Sequence, residues 1–167
     1  MKRSNLAIGL ALASLLATLT SAPAQATGDP ERGAYLAAIS DCGGCHTPGA
    51  MTPQPDISRP MAGNAIGFAI PELGIFYPPN LTPDIATGLG AWTEDEIVRA
   101  IRTGERPDGR ILAPIMPWRA YAAYSDADIA DLVAYLRSLP AVEHQVPGPF
   151  GPDETPPAPY MAFVFPQ

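Results

Sequence analysis

An all-α domain is what this sequence predicts: about four short helices joined by long proline- and glycine-rich loops, with one short β-hairpin. Three observations lead there. The 21 prolines leave residues 31–47, 84–106 and 118–139 empty. An interior proline removes a helical hydrogen bond and clashes with the preceding turn, so helices belong in those windows. Each window also carries apolar residues at helical spacing. The stretch between Thr47 and Trp92, by contrast, holds eight prolines and no helical period.

Ahead of the first window the chain opens with Lys2 and Arg3, an apolar run from Leu6 to Leu19, and Ala24-Gln25-Ala26. A basic start, a short apolar stretch and a small-x-small site describe a secretory signal peptide over residues 1–26, cleaved after Ala26. The run falls short of the roughly 20 apolar residues that span a bilayer. No later stretch is apolar enough to serve as an anchor. Cleavage leaves 141 of the 167 residues, enough for one domain. It also removes both cations of the leader, so eight arginines face 17 acids, a formal charge of -9. Nucleic acid is excluded as a partner by that balance, and any steering is toward a basic patch on another protein.

The elements follow in order. Asp29 caps and Pro30 opens a helix from about Pro30 to Ser40, with Tyr35, Leu36 and Ile39 on one face. In the long loop segment, Gly67 to Ile70 and Ile75 to Tyr77 flank a Pro71-Glu72-Leu73-Gly74 turn, which reads as the hairpin. A loop region of that length needs a surface to pack on, and a flat apolar cofactor supplies one. Thr93 and Glu96 form a capping box for a second helix, striped by Ile97, Val98 and Ile101 and stopped at Gly104. A short Trp118 to Tyr124 segment comes next. Ser125 and Asp128 then cap a last helix whose Ile129, Leu132, Val133 and Leu136 fall at i, i+3, i+4 and i+7 before Pro140 ends it. Residues 141–167 are a Pro-rich tail, finishing in the alternating strip Met161 to Phe165, that reads as packed across the domain, with a docking segment as the alternative.

The chemistry is carried by Cys42-Gly43-Gly44-Cys45-His46. Residues three and four apart share a helical face, so both thiols reach one edge of a porphyrin while His46 offers its imidazole to the iron. Such a run is the attachment pattern for one covalent haem c. Gly43 and Gly44 keep bulk away from the haem edge. Three other readings compete. A thioredoxin-like pair wants a preceding strand, a zinc site wants a fourth ligand for which only His144 is at hand, and an exported cysteine pair can form a disulfide.

A sixth iron ligand must come from Met51, Met61, Met116, Met161 or His144. Met51 follows His46 by only five residues, too little chain to round the haem. Met116 stands in Ala113-Pro114-Ile115-Met116-Pro117-Trp118, a stiff non-helical loop before the last helices, and is the residue the spacing favours. Ordinary apolar packing accounts for Met61 and Met161. Arg99, Arg102, Arg106, Arg110 and Arg119 crowd the same region among Glu94, Asp95, Glu96, Glu105 and Asp108. They could neutralise haem propionates or dock a partner, but most of them read as a solvated, paired helix face. Asn80-Leu81-Thr82 reads as a turn rather than a glycan acceptor.

With these surroundings the chain resembles class I c-type cytochromes, in particular the monohaem domains of bacterial periplasmic carriers and dehydrogenase cytochrome subunits. The resemblance rests on Gly33 and Tyr35 ahead of the haem motif, on Pro79-Asn80-Leu81-Thr82-Pro83-Asp84, on Thr87-Gly88-Leu89-Gly90 before Trp92-Thr93, on Arg106-Pro107-Asp108-Gly109-Arg110, and on Met116-Pro117 followed by Tyr121. It implies a cytochrome c domain over residues 27–140, a bundle of helices around one haem held by Cys42 and Cys45. His46 and Met116 are then the axial iron ligands. It further implies that Trp92 packs near the haem and that Gly33 lets the first helix cross the last against Tyr135.

The expected function is single-electron transfer in the periplasm, with no enzymatic activity of its own. Its partners would be a periplasmic dehydrogenase as donor and an oxidase or other cytochrome as acceptor. Two alternatives stand beside it: an electron-relay subunit bound within a dehydrogenase complex, and a haem enzyme or ligand sensor with an open iron.

Overall fold

The computed structural model describes residues 28–164. The signal-peptide expectation, residues 1–26, lies outside the described residues. The protein is mostly helical, with a small three-stranded sheet. Its helices are α1 (Pro30–Ile39), α2 (Cys42–His46), α3 (Glu94–Thr103), α4 (Trp118–Tyr121) and α5 (Asp126–Ser138). Only α1, α3 and α5 exceed two turns. Among the described residues no helix is long and apolar enough to cross a membrane.

The helix ends follow from local chemistry. Asp29 accepts from the backbone N–H groups of Glu31 and Arg32 at the start of α1. Reciprocal capping boxes, Thr93 with Glu96 and Ser125 with Asp128, open α3 and α5. Gly104 ends α3 at φ 76°. A Cβ added there would lie 2.7 Å from the Trp118 ring, so that position needs glycine for its backbone and for its neighbour.

The pairing of α1 with α5 is the tightest in the fold. A Cβ on Gly33 would sit 1.9 Å from the Asp131 carbonyl oxygen and 2.7 Å from the Tyr135 Cβ, so only glycine permits the crossing. Around it, Asp131 accepts from the Asp29 N–H at 2.7 Å and from Arg32 at 2.6 Å, while Arg32 also pairs with Asp128. That approach decides which face of α1 is buried. Gly33, Leu36 and Ala37 face inward, whereas Tyr35 and Ile39 remain 63% and 60% exposed. The apolar face expected from Tyr35, Leu36 and Ile39 is thus corrected: only Leu36 belongs to the core.

On α3, Ile97 and Ile101 are buried as expected. All four residues of the α5 stripe, Ile129, Leu132, Val133 and Leu136, are buried with them. Met61, 5% exposed, joins this cluster from the loop region.

The hairpin forms as β1 (Gly67–Ile70) and β2 (Gly74–Phe76), antiparallel with Phe68 opposite Phe76. The sequence did not suggest its third member. Strand β3 (Tyr160–Ala162) comes from the tail and pairs parallel to β1, Phe68 opposite Met161, giving the order β2-β1-β3. The tail makes further ties. Phe150 and Ile75 exchange backbone hydrogen bonds, and the Tyr77 hydroxyl donates to the Ala158 carbonyl at 2.7 Å. Asn80, fully buried, donates to the Val142 carbonyl at 2.7 Å, and its own oxygen accepts from Thr82. A glycan has no access there.

Candidate functional site

Helix α2 is one turn long and begins beside Asp41, whose backbone is left-handed at φ 53°. This turn sets Cys42, Cys45 and His46 on one side. All three line a single cavity of about 650 Å3, within the range of sites that hold a large cofactor. The opposite walls come from Ile97 and Ile101 of α3, Leu132 and Leu136 of α5, and the loop bearing Met116. Segments 78–81 and 145–149 complete it. The tail therefore builds part of the site, where its sequence suggests packing alone.

His46 is buried, and its Nδ1 lies 2.8 Å from the Pro79 carbonyl oxygen. A carbonyl can only accept, so Nδ1 carries the proton and Nε2 keeps a free lone pair. Burial lowers the proton affinity of the ring, which holds the imidazole in its neutral, ligating form. A ligating histidine characteristically donates its other ring nitrogen in this way.

Both thiols are pushed up by burial, Cys42 to about 11. They stay protonated at neutral pH and lack the low-pKa thiolate of disulfide-exchange sites. The element before them is helix α1 rather than a strand, so neither mark of a thioredoxin-like pair is present. The zinc reading also fails for want of its fourth ligand. His144 does not line the cavity, and its Nδ1 meets the Ala62 carbonyl oxygen at 2.5 Å.

The candidate sixth ligands separate by place. Met116, half-buried, lines the same cavity as His46. Met61 is packed in the helical core, Met161 is exposed on β3, and Met51 sits in a turn away from the cavity. Among the described methionines, Met116 alone reaches the cavity lining. Apolar walls, two thiols, one neutral imidazole and one thioether make a donor set that fits a covalently held haem.

Trp92 also lines the cavity. Arg106 lies over its ring at 5.0 Å, and Arg137 of α5 donates to the carbonyls of Leu89 and Trp92. No sequence pattern points to Arg137 in this role, because its acceptors lie more than 40 residues back. Pro79 is equally hidden as a partner of His46; its only signal is membership of the Pro79 to Asp84 motif.

Two expectations are corrected. Gly43 and Gly44 do not line the cavity. A Cβ on Gly44 would meet the Asp41 carboxylate at 2.3 Å, so its small size serves that turn rather than the cofactor edge. The arginines do not form a paired helix face either, because α3 ends at Thr103. Arg102 reaches Asp126 of α5, Arg106 and Arg110 line the cavity, and Arg119 lies over Trp118. Burial, together with the nearby Arg106, lowers the proton affinity of Arg110.

Residues 30–140 match the family model described as cytochrome c. Among curated proteins the chain is similar to the fructose dehydrogenase cytochrome subunit of Gluconobacter japonicus, 36% identical over 126 residues that cover 71% of this chain and 24% of that protein. It is similar to the gluconate 2-dehydrogenase cytochrome c subunit of Pantoea cypripedii, 38% identical, covering 64% of this chain and 22% of that protein. It is similar also to the cytochrome c subunit of the quinone-dependent alcohol dehydrogenase of Gluconobacter oxydans, 38% identical, covering 64% and 20%. The chain thus spans less than a quarter of the length of each of these three relatives. With a matched segment running from the start of α1 to the end of α5 and enclosing the whole Cys42 to His46 turn, the chain belongs to the cytochrome c family.

Proposed function

We propose that this chain is a periplasmic, single-haem carrier that passes one electron at a time between partner proteins and catalyses no reaction of its own. Cys42 and Cys45 would hold haem c covalently, and His46 and Met116 would be its axial iron ligands. The observation that carries this is the setting of His46: a buried, neutral imidazole with Nδ1 held by Pro79, in one cavity with both thiols and Met116.

When bound, the haem supplies reversible one-electron chemistry at its iron. The residues of the chain do the rest. Pro79 fixes the tautomer and plane of His46, so Nε2 remains a lone-pair donor. Ile97, Ile101, Leu132 and Leu136 exclude water from one wall, and low polarity there favours the less charged state of the site. Trp92, held by Arg137 and covered by Arg106, closes a further part of the lining. Ligation by the Met116 thioether in place of a second imidazole would raise the potential, which suits a carrier.

A second reading is supported by the relatives, several of which are named as cytochrome subunits of dehydrogenases. In it the chain is an electron relay bound to a periplasmic dehydrogenase, which donates to it, and an oxidase or another cytochrome accepts. Voltammetry of the exported protein tests the shared core of both readings. One reversible one-electron wave is expected, and no wave from a coloured, folded sample contradicts them. Co-elution with a larger dehydrogenase separates the relay from the free carrier.

A further inference from the structure

The wall that bears Met116 serves a second concavity. Phe76, Arg110, Leu112, Ala113 and Pro149 line the cofactor cavity and also a separate groove of about 470 Å3. Leu73, Ile111, Pro114 and Phe150 add to the groove's apolar lining. Leu73 and Ile111 are 50% and 54% exposed, large apolar side chains that the fold leaves uncovered. An exposed apolar patch of this kind, next to charges, marks an interaction site.

The charges identify the occupant. The chain has 17 acids against ten lysines and arginines, yet this groove is lined by two arginines, Arg110 and Arg119, and by no acidic residue among those described, although the Glu154 carboxylate accepts from the Gly151 N–H at its edge. Neither arginine forms an ion pair among the described residues, whereas Arg32, Arg59, Arg102 and Arg106 all do. Arg119 lies 4.2 Å over the Trp118 ring, a stacking that orients the guanidinium while its N–H edges stay available. A positive, apolar recess on an acidic protein selects an acidic patch with an apolar side chain at its centre, a local match set against the overall charge, which steers toward basic surface.

We propose that this groove docks the acidic face of a redox-partner protein, with an apolar side chain seated among Leu73, Ile111 and Phe150 and flanking carboxylates on Arg110 and Arg119. The five shared residues border both the groove and the cofactor cavity, so a protein docked there stands beside that cavity. This docking role rests on the electron-carrier reading given above.

The test uses the full exported, haem-loaded chain and two peptide probes, EDLWDE and its basic counterpart KRLWRK, titrated by NMR. Saturable shifts at Ile111, Leu112 and Phe150 are expected with the acidic peptide alone, weakening as salt is added. Arg119→Glu should weaken binding about tenfold, Arg119→Gln by less, and Ile111→Ser should weaken it with the charges intact. Neither position lines the cofactor cavity, so each variant should keep the optical spectrum of the parent. Equal binding of both peptides, unchanged affinity in Arg119→Glu, or shifts confined to the exposed strand β3 would overturn the proposal. So would sedimentation showing a dimer that covers the groove. A parent lacking haem absorption would sink the carrier reading instead, and the peptide titration would still report on the groove.

Discussion

The Nδ1 atom of His46 lies 2.8 Å from the carbonyl oxygen of Pro79, a residue 33 positions further along the chain. Helix α2 places the imidazole beside the thiols through local geometry, but only this long-range contact decides which nitrogen keeps its lone pair. The site is therefore half written in five consecutive residues and half in the fold around them.

If Met116 is the ligand opposite His46, Met116→Ala abolishes the methionine-to-ferric-iron charge-transfer band of the oxidised protein and lowers its reduction potential. Met61→Leu is the control. Met61 is buried in the helical core, so this volume-conserving swap should leave the band in place and cost less than about 1.5 kcal/mol. A band that survives in Met116→Ala moves the ligand elsewhere.

Acid sensitivity should centre on the α1–α5 pairing. The Ser125 side chain, followed by Arg32, lowers the Asp128 carboxyl from 3.8 to about 2. The unfolded chain then binds this proton more readily than the folded one does. The stabilisation is fully present above about pH 4 and is lost as the pH falls through about 2. Urea midpoints measured across that window should fall, and Asp128→Asn should flatten the fall. An identical acid limb in the variant would mean that other groups set it.

Gly33→Ala tests the helix crossing itself. With the Asp131 carbonyl 1.9 Å from the added Cβ, α1 must move off α5, at a cost of roughly 1–3 kcal/mol from overpacking. Denaturant unfolding reads this directly, and a loss below about 0.5 kcal/mol would show that the two helices have room to separate.

What the sequence reveals about this fold is what short-range chemistry decides. The capping boxes at Thr93 and Ser125, the Gly104 stop and the α5 stripe each involve residues within a turn or two of one another, and all are legible. Tyr35 and Ile39 mislead because the buried face of α1 is selected by its contact with α5 at Gly33, between segments at opposite ends of the domain. Strand β3 escapes notice for a related reason. Its partner Phe68 lies more than 90 residues earlier, and parallel pairing leaves no local turn signal.

The site divides along the same line. Cys42, Cys45 and His46 can be read together because a helical turn fixes their relation. Chain length and loop stiffness point to Met116, which the structure places in the cavity lining. The Pro79 carbonyl, the Arg137 brace behind Trp92 and the tail segment lining the cavity cannot, since each contributes through backbone atoms or contacts that carry no sequence pattern.

Intact-mass analysis of the protein exported by a host that matures such chains tests the covalent attachment most directly. The expected result is the chain beginning at Thr27 plus one haem, with neither Cys42 nor Cys45 open to alkylation after denaturation. The bare polypeptide mass, with both thiols alkylated or joined to each other, would contradict it.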